Sequence, residues 1–174
     1  MLRKITSILL ISLSIFILLY NEKCIKNRQD AVQEIIENKI NPKYDGFMIF
    51  SKLNYKLLIK KGDYNGVLDS NLVLMINDRN VFNNEFGNII LAGHNNKYVF
   101  SKLYKLYKND EIIISDFENT YSYIVEKRMY INIKDRSILD NVYDRKILTL
   151  ITCTNNNQIR YVVRARLNHI ISHN

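Results

Sequence analysis

Cys153 stands where a thiol could do chemistry. It ends the apolar run Ile147–Thr152 and precedes a polar loop, so a strand would carry it rigidly to the rim of a sheet. A thiolate there is a nucleophile, whereas a buried structural cysteine is inert. Position alone favours the structural interpretation. A disulfide with Cys24, the other cysteine, is disfavoured because Cys24 precedes the predicted domain.

His94 also follows an apolar run, residues 88–92, with Gly93 between them. A lone histidine at a strand end is ordinarily a hydrogen-bonded rim residue. A cysteine and a histidine that both end strands are a candidate pair for thiol chemistry. An imidazolium favours the thiolate, and the imidazole can later carry a proton to a leaving group. The other histidines, His169 and His173, are predicted to be surface residues of a C-terminal tail at 169–174.

Arg160 opens the last predicted strand, seven residues after Cys153. If residues 147–152 and 160–167 form a hairpin, Arg160 returns beside Cys153. A guanidinium there can hydrogen-bond a developing oxyanion or hold a substrate carbonyl. Arg164 and Arg166 fall on the same alternate face, further from the turn, and are interpreted as ordinary solvated cations.

The sequence predicts no cofactor and no metal site. It contains no CxxC, HExxH or EF-hand pattern. Calcium modulation through acidic loop residues is left open, although these residues are scattered along the chain: Glu85, Asp116, Glu118, Asp135, Asp140 and Asp144.

Eight short runs of β-forming residues are expected to position these side chains. They lie at 47–50, 55–60, 72–76, 88–92, 111–115, 121–131, 147–152 and 159–167, separated by turn-type Gly, Asn and Asp residues. A further helical turn is predicted at Val99–Tyr107. Eight short strands with few helices favour a mainly β fold, a closed or partly closed barrel.

An uncharged apolar run at residues 5–20 precedes this domain. As a helix it is about 24 Å long, slightly short of a ~30 Å hydrocarbon core, a gap that mild thinning covers. A cleaved signal peptide is the competing interpretation, but Leu19–Glu22 supply poor cleavage residues. An uncleaved transmembrane signal anchor is therefore predicted. Positive charge in residues 1–4 places that end in the cytoplasm and the domain outside.

Residues 21–45 are predicted to be a linker that contains a short amphipathic helix. Apolar residues recur at helical spacing over 28–40, and Asn41-Pro42 ends the pattern. This helix is expected to pack on the domain rather than lie on a membrane surface.

Composition excludes several classes of protein. The length fits one domain, and 47% hydrophobic with 24% charged residues excludes a fully disordered chain. Lys and Arg number 25 against 17 Asp and Glu, a formal net charge of +8, of which residues 1–27 supply +3. The remaining excess is mild and lacks an aromatic-basic motif, so no nucleic-acid partner is predicted.

Three segments resemble motifs of the sortases, the cysteine transpeptidases of Gram-positive bacterial surfaces. Leu148–Cys153 matches their TLxTC signature, Ile90–His94 is similar to their histidine strand, and Arg160–Ala165 resembles their R-x-V-V-x-A strand. The order His, Cys, Arg is the family's order, and the resemblance covers roughly residues 46–168.

The resemblance implies an eight-stranded sortase-type β-barrel with His94, Cys153 and Arg160 as catalytic residues. Cys153 would attack the Thr carbonyl of an LPxTG-like sorting signal. Arg160 and a backbone N–H would hold the oxyanion, and His94 would protonate the departing amine. An amine of a lipid-linked cell-wall precursor would then open the thioacyl enzyme. The implied partners are sorting signals of exported proteins, this precursor and the membrane.

Some features narrow the sortase class and others depart from the family. The 59 residues from His94 to Cys153 leave little room for the extra helix of class B. Because Pro42 is the only proline, an Asp-Pro-aromatic lid of class C is absent. Class A-, D- or E-like is predicted, although Asn77–Phe86 lacks the family's usual Gly and Pro. Alternative functions are a membrane-tethered cysteine hydrolase with the same Cys/His site, or a non-catalytic sortase-like surface module.

Overall fold

A closed β-barrel forms the body of the molecule. The structure is a computed structural model that describes residues 2–38, 43–76, 86–140 and 142–172. The strands follow the order β1-β2-β3-β4-β7-β8-β6-β5 around the barrel. In chain order the elements are α1 (Leu2–Glu37), β1 (Gly46–Phe50), β2 (Tyr55–Lys60), α2 (Tyr64–Asp69), β3 (Val73–Met75), β4 (Gly87–Gly93), β5 (Glu111–Ser115), β6 (Asn119–Asn132), β7 (Lys146–Cys153) and β8 (Ile159–Ser172). The predicted mainly β, eight-stranded barrel is confirmed.

The strand bounds differ from prediction chiefly at the C-terminus. Residues 169–172, expected to belong to a tail, continue β8 and pair with the start of β6, so that His169 lies opposite Ser122. Strands β6 and β8 are both 14 residues long, and their pairing reaches from Asn132 and Ile159 to Asn119 and Ser172. His173 and the predicted turns within 77–85 lie outside the described residues.

Short helical elements were only partly predicted. Within the helical turn expected at Val99–Tyr107, a single 3-10 turn forms at Leu103–Lys105. Leu103 and Leu106 are fully buried there, while Tyr107 is exposed. Helix α2 was not predicted; its first turn is capped by the Asp63 carboxylate, which accepts the Gly66 N–H at 2.9 Å. The 3-10 turns at Ser51–Leu53 and Ser137–Leu139 were not predicted either.

The barrel interior is filled by one face of every strand. On the two strands that end near His94 and Cys153, the inward residues are Ile89 and Leu91 of β4 and Leu148 and Leu150 of β7. Side chains alternate between the two faces of a strand. Residues 88, 90 and 92 of β4 and 149, 151 and 153 of β7 therefore point to the outside of the barrel.

The N-terminal helix is continuous through the predicted membrane span and most of the helix predicted at 28–40. α1 runs from Leu2 to Glu37 without interruption. No Gly or Pro occurs before residue 42, so nothing in the sequence breaks the helix after the apolar run. The apolar side chains of residues 5–20 are exposed, and the helix is long and apolar enough to cross a membrane. The predicted stop at Asn41-Pro42 lies outside the described residues.

The second half of α1 packs on the barrel, as expected for this segment. Val32 is buried, and Ile25 packs against the barrel core. The Gln29 side-chain amide donates to the Lys56 carbonyl at 3.1 Å and accepts the Lys56 N–H at 2.7 Å. This pair satisfies backbone groups of β2, and it ties the helix to the sheet. Arg28 adds a bond to the Asn71 carbonyl at 2.6 Å.

Candidate active site

Strand pairing brings the three predicted site residues to one end of the barrel. β4 and β7 are parallel neighbours with Gly93 opposite Thr152, so His94 and Cys153 lie side by side at the ends of their strands. β7 and β8 form the expected antiparallel hairpin, with Cys153 opposite Arg160. Neighbouring strands lie about 4.8 Å apart. Three adjacent strands therefore present an imidazole, a thiol and a guanidinium in a row.

All three side chains line the same groove on the outside of the barrel. Each is half-buried, and the groove has a volume of ≈ 240 Å³. Ala92 and Ile151, the outward residues before His94 and Cys153, also line it. The site is thus accessible to a substrate but shielded on one side by the sheet.

The walls of the groove are largely apolar. One wall comes from α2 and the end of β3, and the other from the end of β6 and the segment that follows it. The apolar wall residues are Tyr64, Leu68, Ile76, Ile131, Ile133, Ile138 and Leu139, and the polar ones are Asn132, Asp135 and Arg136. Such a groove suits an extended peptide that buries an apolar side chain.

A buried hydrogen bond fixes the strand ends on which His94 and Cys153 sit. The Thr152 hydroxyl donates to the Gly93 carbonyl at 2.7 Å. A Cβ at Gly93 would lie only 2.6 Å from Val99 Cγ1 and 2.8 Å from Phe100 Cδ2, so glycine is needed for this packing. The Phe100 N–H in turn donates to the His94 carbonyl at 3.0 Å. Together these contacts hold the backbone of His94 in place.

Arg160 directs part of its guanidinium to the loop between β7 and β8. Its Nη1 donates to the carbonyls of Asn157 at 3.0 Å and Ile159 at 3.1 Å. A guanidinium carries five N–H donors, so others remain for a group in the groove. The arrangement orients the side chain beside Cys153 and leaves it able to bind an oxyanion.

A second, aromatic groove adjoins the first where Asn95 follows His94 and Thr154 follows Cys153. Its volume is ≈ 410 Å³, and it is lined by Asn95, Tyr104, Tyr130, Thr154, Asn155 and Asn156. Tyr161 stacks on Tyr104 with ring centroids 4.2 Å apart and contacts Tyr130 at 5.1 Å. This groove could not be predicted from the sequence, because Tyr130 lies opposite Tyr161 only in the register that β6 and β8 adopt.

Tyr104 links the aromatic groove to the thiol-bearing strand. Its hydroxyl donates to the Cys153 carbonyl at 3.4 Å and lies 3.5 Å from the Asn95 side-chain amide. Burial raises the pKa of Tyr104, and the neighbouring Tyr130 and Tyr161 raise it further. The phenol therefore stays protonated and remains a donor at neutral pH.

The remaining predicted residues lie away from the row of three. Cys24 is a free thiol on α1, and Cys153 is free as well. Arg166 is exposed and lies 3.8 Å from Glu126, as expected of a surface cation. The prediction that Arg164 is a solvated cation is wrong. Arg164 is half-buried, and its Nη2 donates to the Ile138 carbonyl at 3.4 Å. Burial lowers the pKa of its guanidinium from the ordinary value.

Two of the acidic residues considered for calcium serve local turns. Asp116 accepts the N–H groups of Glu118 and Asn119, and Asp135 accepts both the N–H and the hydroxyl of Ser137. Glu85 lies outside the described residues. Within 2–38, 43–76, 86–140 and 142–172, no three His, Cys, Asp or Glu side chains are grouped so that they could hold a metal ion.

Comparison with known proteins connects this site to one family. The family model for the sortase domain matches residues 49–168. Sortase A of Listeria monocytogenes is 32% identical over 111 residues, which cover 62% of this chain and 48% of that protein. The chain thus spans about half the length of the curated relative that it matches.

Solved sortase structures share the barrel. Listeria monocytogenes sortase A aligns with a TM-score of 0.66 at 26% identity, over 76% of this chain and 92% of the other. Sortase C1 of Streptococcus agalactiae gives a TM-score of 0.67 at 26% identity, over 74% and 69% of the two chains. A Clostridium perfringens sortase D5 transpeptidase gives 0.64 at 25% identity, over 84% and 95%.

Proposed function

Because the chain belongs to the sortase family, we propose that it is a membrane-anchored cysteine transpeptidase acting on LPxTG-like sorting signals. The observation that carries the proposal is the row of His94, Cys153 and Arg160 on three adjacent strand ends lining one groove. A thiol nucleophile, a proton carrier and an oxyanion donor are the three groups that acyl transfer from a peptide needs. No cofactor is required for this chemistry.

The first half-reaction forms a thioester. The Cys153 thiolate attacks the Thr carbonyl carbon of the sorting signal, and the carbonyl becomes a tetrahedral oxyanion. Arg160 and a backbone N–H donate hydrogen bonds to this oxygen. The intermediate collapses with cleavage of the C–N bond, while His94 gives its proton to the departing amine. The acyl group is then bound to the Cys153 sulfur.

The second half-reaction transfers the acyl group to a new amine. His94, now neutral, accepts a proton from the incoming amine as it attacks the thioester carbonyl. Collapse of the second oxyanion breaks the C–S bond and releases the Cys153 thiolate. The thioester is reactive enough for aminolysis and keeps the acyl group attached until the amine arrives.

The two grooves suit two different substrates. The apolar groove accommodates the sorting signal, whose apolar residue packs between Leu68, Ile138 and Ile151. While the acyl chain occupies it, the amine must approach by another route. The aromatic groove reaches the site at Asn95 and Thr154, and its phenol rings and amides suit the sugars and peptide of a lipid-linked cell-wall precursor. We assign the acceptor to this groove.

Removal of the Tyr130 ring is expected to favour hydrolysis of the thioester over its transfer to the amine. Tyr130→Ala should lower the ratio of transfer to hydrolysis about tenfold, the effect of losing roughly 1.4 kcal/mol of acceptor binding. Cleavage of the sorting peptide without an amine should change less than about twofold. Both products are quantified by mass spectrometry. Tyr143→Ala, at an 81% exposed tyrosine outside both grooves, is the matched control, and an equal loss there would refute the assignment.

The general function is tested with a panel of quenched LPxTG-like peptides and the full-length chain, with and without an added amine. We expect cleavage and an amine-dependent ligated product. Cleavage that yields only the free acid under all amine conditions would support the cysteine hydrolase. A chain that cleaves no peptide and forms no thioacyl adduct would support the non-catalytic surface module. The class A-, D- or E-like assignment stays a prediction.

The proposed anchoring predicts a topology. With Arg3 and Lys4 retained in the cytoplasm, a protease added to cells stripped of their wall should digest the barrel and leave a short N-terminal fragment. The fragment is detected with an N-terminal epitope tag. Complete protection of residues 28–174 in intact protoplasts would contradict an extracellular domain, and a soluble barrel in the culture medium would favour the cleaved signal peptide.

A further inference from the structure

Three polar residues, two of them fully buried and one half-buried, lie on the outside of the barrel, under the wall of the apolar groove. Asn88 of β4 and Thr149 of β7 are both fully buried, and Arg164 of β8 lies opposite Thr149. The Thr149 hydroxyl donates to the Asn88 side-chain oxygen at 2.7 Å. We call Asn88, Thr149 and Arg164 the polar clamp. None of them lines the groove itself.

The polar clamp holds the backbone of the groove wall. The Asn88 side-chain nitrogen donates to the carbonyls of Ile138 at 3.0 Å and Asp140 at 3.2 Å. Arg164 donates to the same Ile138 carbonyl. The Thr149 bond fixes the orientation of the Asn88 amide, because it places the oxygen toward the hydroxyl and the nitrogen toward the wall. Three hydrogen bonds from two side chains therefore converge on the carbonyls of one short segment, residues 138–140.

Besides the buried side chain of Ile138, the described hydrogen bonds that join residues 138–140 to the barrel come from the polar clamp. Within residues 135–140, the other described hydrogen bonds stay within the turn or reach back to Asn132: they join Asp135 to Asn132, Ser137 to Asp135, Leu139 to Arg136 and Asp140 to Ser137. Ile138 and Leu139 line the groove opposite Leu68 and Ile76. The width of the groove at this point consequently depends on the polar clamp.

We propose that the polar clamp is a positioning device that sets the width of the groove and thereby its choice of apolar side chain. The claim about substrate choice rests on the proposed function, whereas the claim about the wall does not. It also gives Thr149, the first threonine of the TLxTC-like segment, a task separate from that of Cys153. Removal of its hydroxyl leaves a buried acceptor on Asn88 unpaired, which favours rotation of the amide away from the wall.

The test compares full-length variants in detergent micelles. Thr149→Val and Asn88→Ala remove the bonds, Thr149→Ser retains the hydroxyl, and Arg164→Gln loosens the wall without disturbing the fully buried pair. Ser122→Ala is the matched control, since it removes another buried hydroxyl, one that donates to Glu111 at 2.7 Å outside the groove. Hydrogen exchange of residues 135–140 reports on the wall. KM and kcat for peptides that differ in one apolar residue report on selectivity.

We expect Thr149→Val and Asn88→Ala to speed exchange of residues 135–140 at least about tenfold. KM for the preferred peptide should rise about tenfold, and discrimination between large and small apolar residues should shrink by a similar factor. The value of kcat should change less than about threefold, and alkylation of Cys153 by iodoacetamide should be unchanged. Arg164→Gln should show the same changes at smaller size, and Thr149→Ser and Ser122→Ala should resemble the wild type.

Several results would overturn the proposal. Unchanged exchange in Thr149→Val, Asn88→Ala and Arg164→Gln would show that the polar clamp does not hold the wall. Faster exchange with unchanged KM and discrimination would show that the wall does not select the substrate. Exchange that rises equally throughout the barrel, in Ser122→Ala as well, would reduce the effect to general stability. If the wild type cleaves no peptide, the proposed function fails, and the exchange experiment still decides whether the wall is held.

Discussion

Replacing Cys153 with alanine is expected to abolish both cleavage and transfer, with a loss of roughly 10⁴-fold or more. Loss of a covalent nucleophile removes the thioester route altogether, and nucleophile deletions in acyl-transfer enzymes have effects of this size. The thiol lies at the end of β7, in the groove and beside His94 and Arg160. The measurements are the rate of peptide cleavage and the mass of the trapped acyl adduct, which should be missing from Cys153→Ala.

Cys24→Ala is the matched control for this variant. Cys24 is the other free thiol, and it lies on α1 outside the groove. Its replacement should leave cleavage nearly unchanged, and a thiol-directed inhibitor should still inactivate it. Equal losses in the two alanine variants would point to another nucleophile and remove Cys153 from the proposed mechanism.

Loss of the Arg160 guanidinium is expected to slow the chemical step by roughly 10²–10³-fold, the usual effect of one oxyanion donor. Arg160→Ala leaves the thiol and the imidazole in place, so thioacyl formation should become slow rather than absent. Arg160→Lys should recover only part of the rate, because an ammonium lacks the planar fork of donors. Single-turnover kinetics with excess enzyme isolate the step. Full activity in Arg160→Lys would show that only a positive charge is needed there.

The companion variant His94→Ala should affect the thiol itself. Without the neighbouring imidazole to favour the thiolate, alkylation of Cys153 should become slower, whereas Arg160→Ala should largely preserve its rate. The measurement is the rate of alkylation by iodoacetamide as a function of pH in the wild type and both variants. Identical profiles in all three proteins would show that His94 is not coupled to Cys153, and the pairing would have to be abandoned.

The barrel and its row of three residues could be predicted because they depend on local patterns. Runs of β-forming residues separated by turn residues predicted all eight strands to within a few positions. The short loop after Cys153 predicted the hairpin that brings Arg160 back beside it. Each of these signals spans fewer than about ten residues. Such local patterns predict structure because the two-residue period of strands and the residues of turns reflect conformational preferences of the backbone itself.

Other features depend on residues that meet only through tertiary pairing. The stacked Tyr104 and Tyr161 and the bond between Thr149 and Asn88 join positions 57 and 61 residues apart. No periodicity in the sequence marks them. Arg164 illustrates the same point, because the wall segment that covers it comes from another part of the chain. The continuity of α1 is a different case: the pattern changes from apolar to amphipathic after residue 20, but no helix breaker lies there and the helix continues.

Because α1 is unbroken, the barrel is joined to the apolar segment 5–20 by a rigid helix and not by a flexible tether. Asn21, directly after the apolar run, accepts a hydrogen bond from Lys97 at 2.5 Å, and Arg28 lies 5.4 Å from the centre of the Tyr98 ring. These contacts join the helix to the loop that follows His94, over about 10 Å of helix at 1.5 Å per residue. With residues 5–20 in a bilayer, the thiol would stand at one fixed height above the lipid instead of sampling many. Under the proposed function, this height would select substrates by length: signals whose scissile bond lies at that height would be cleaved, and those with a shorter or longer stem would not.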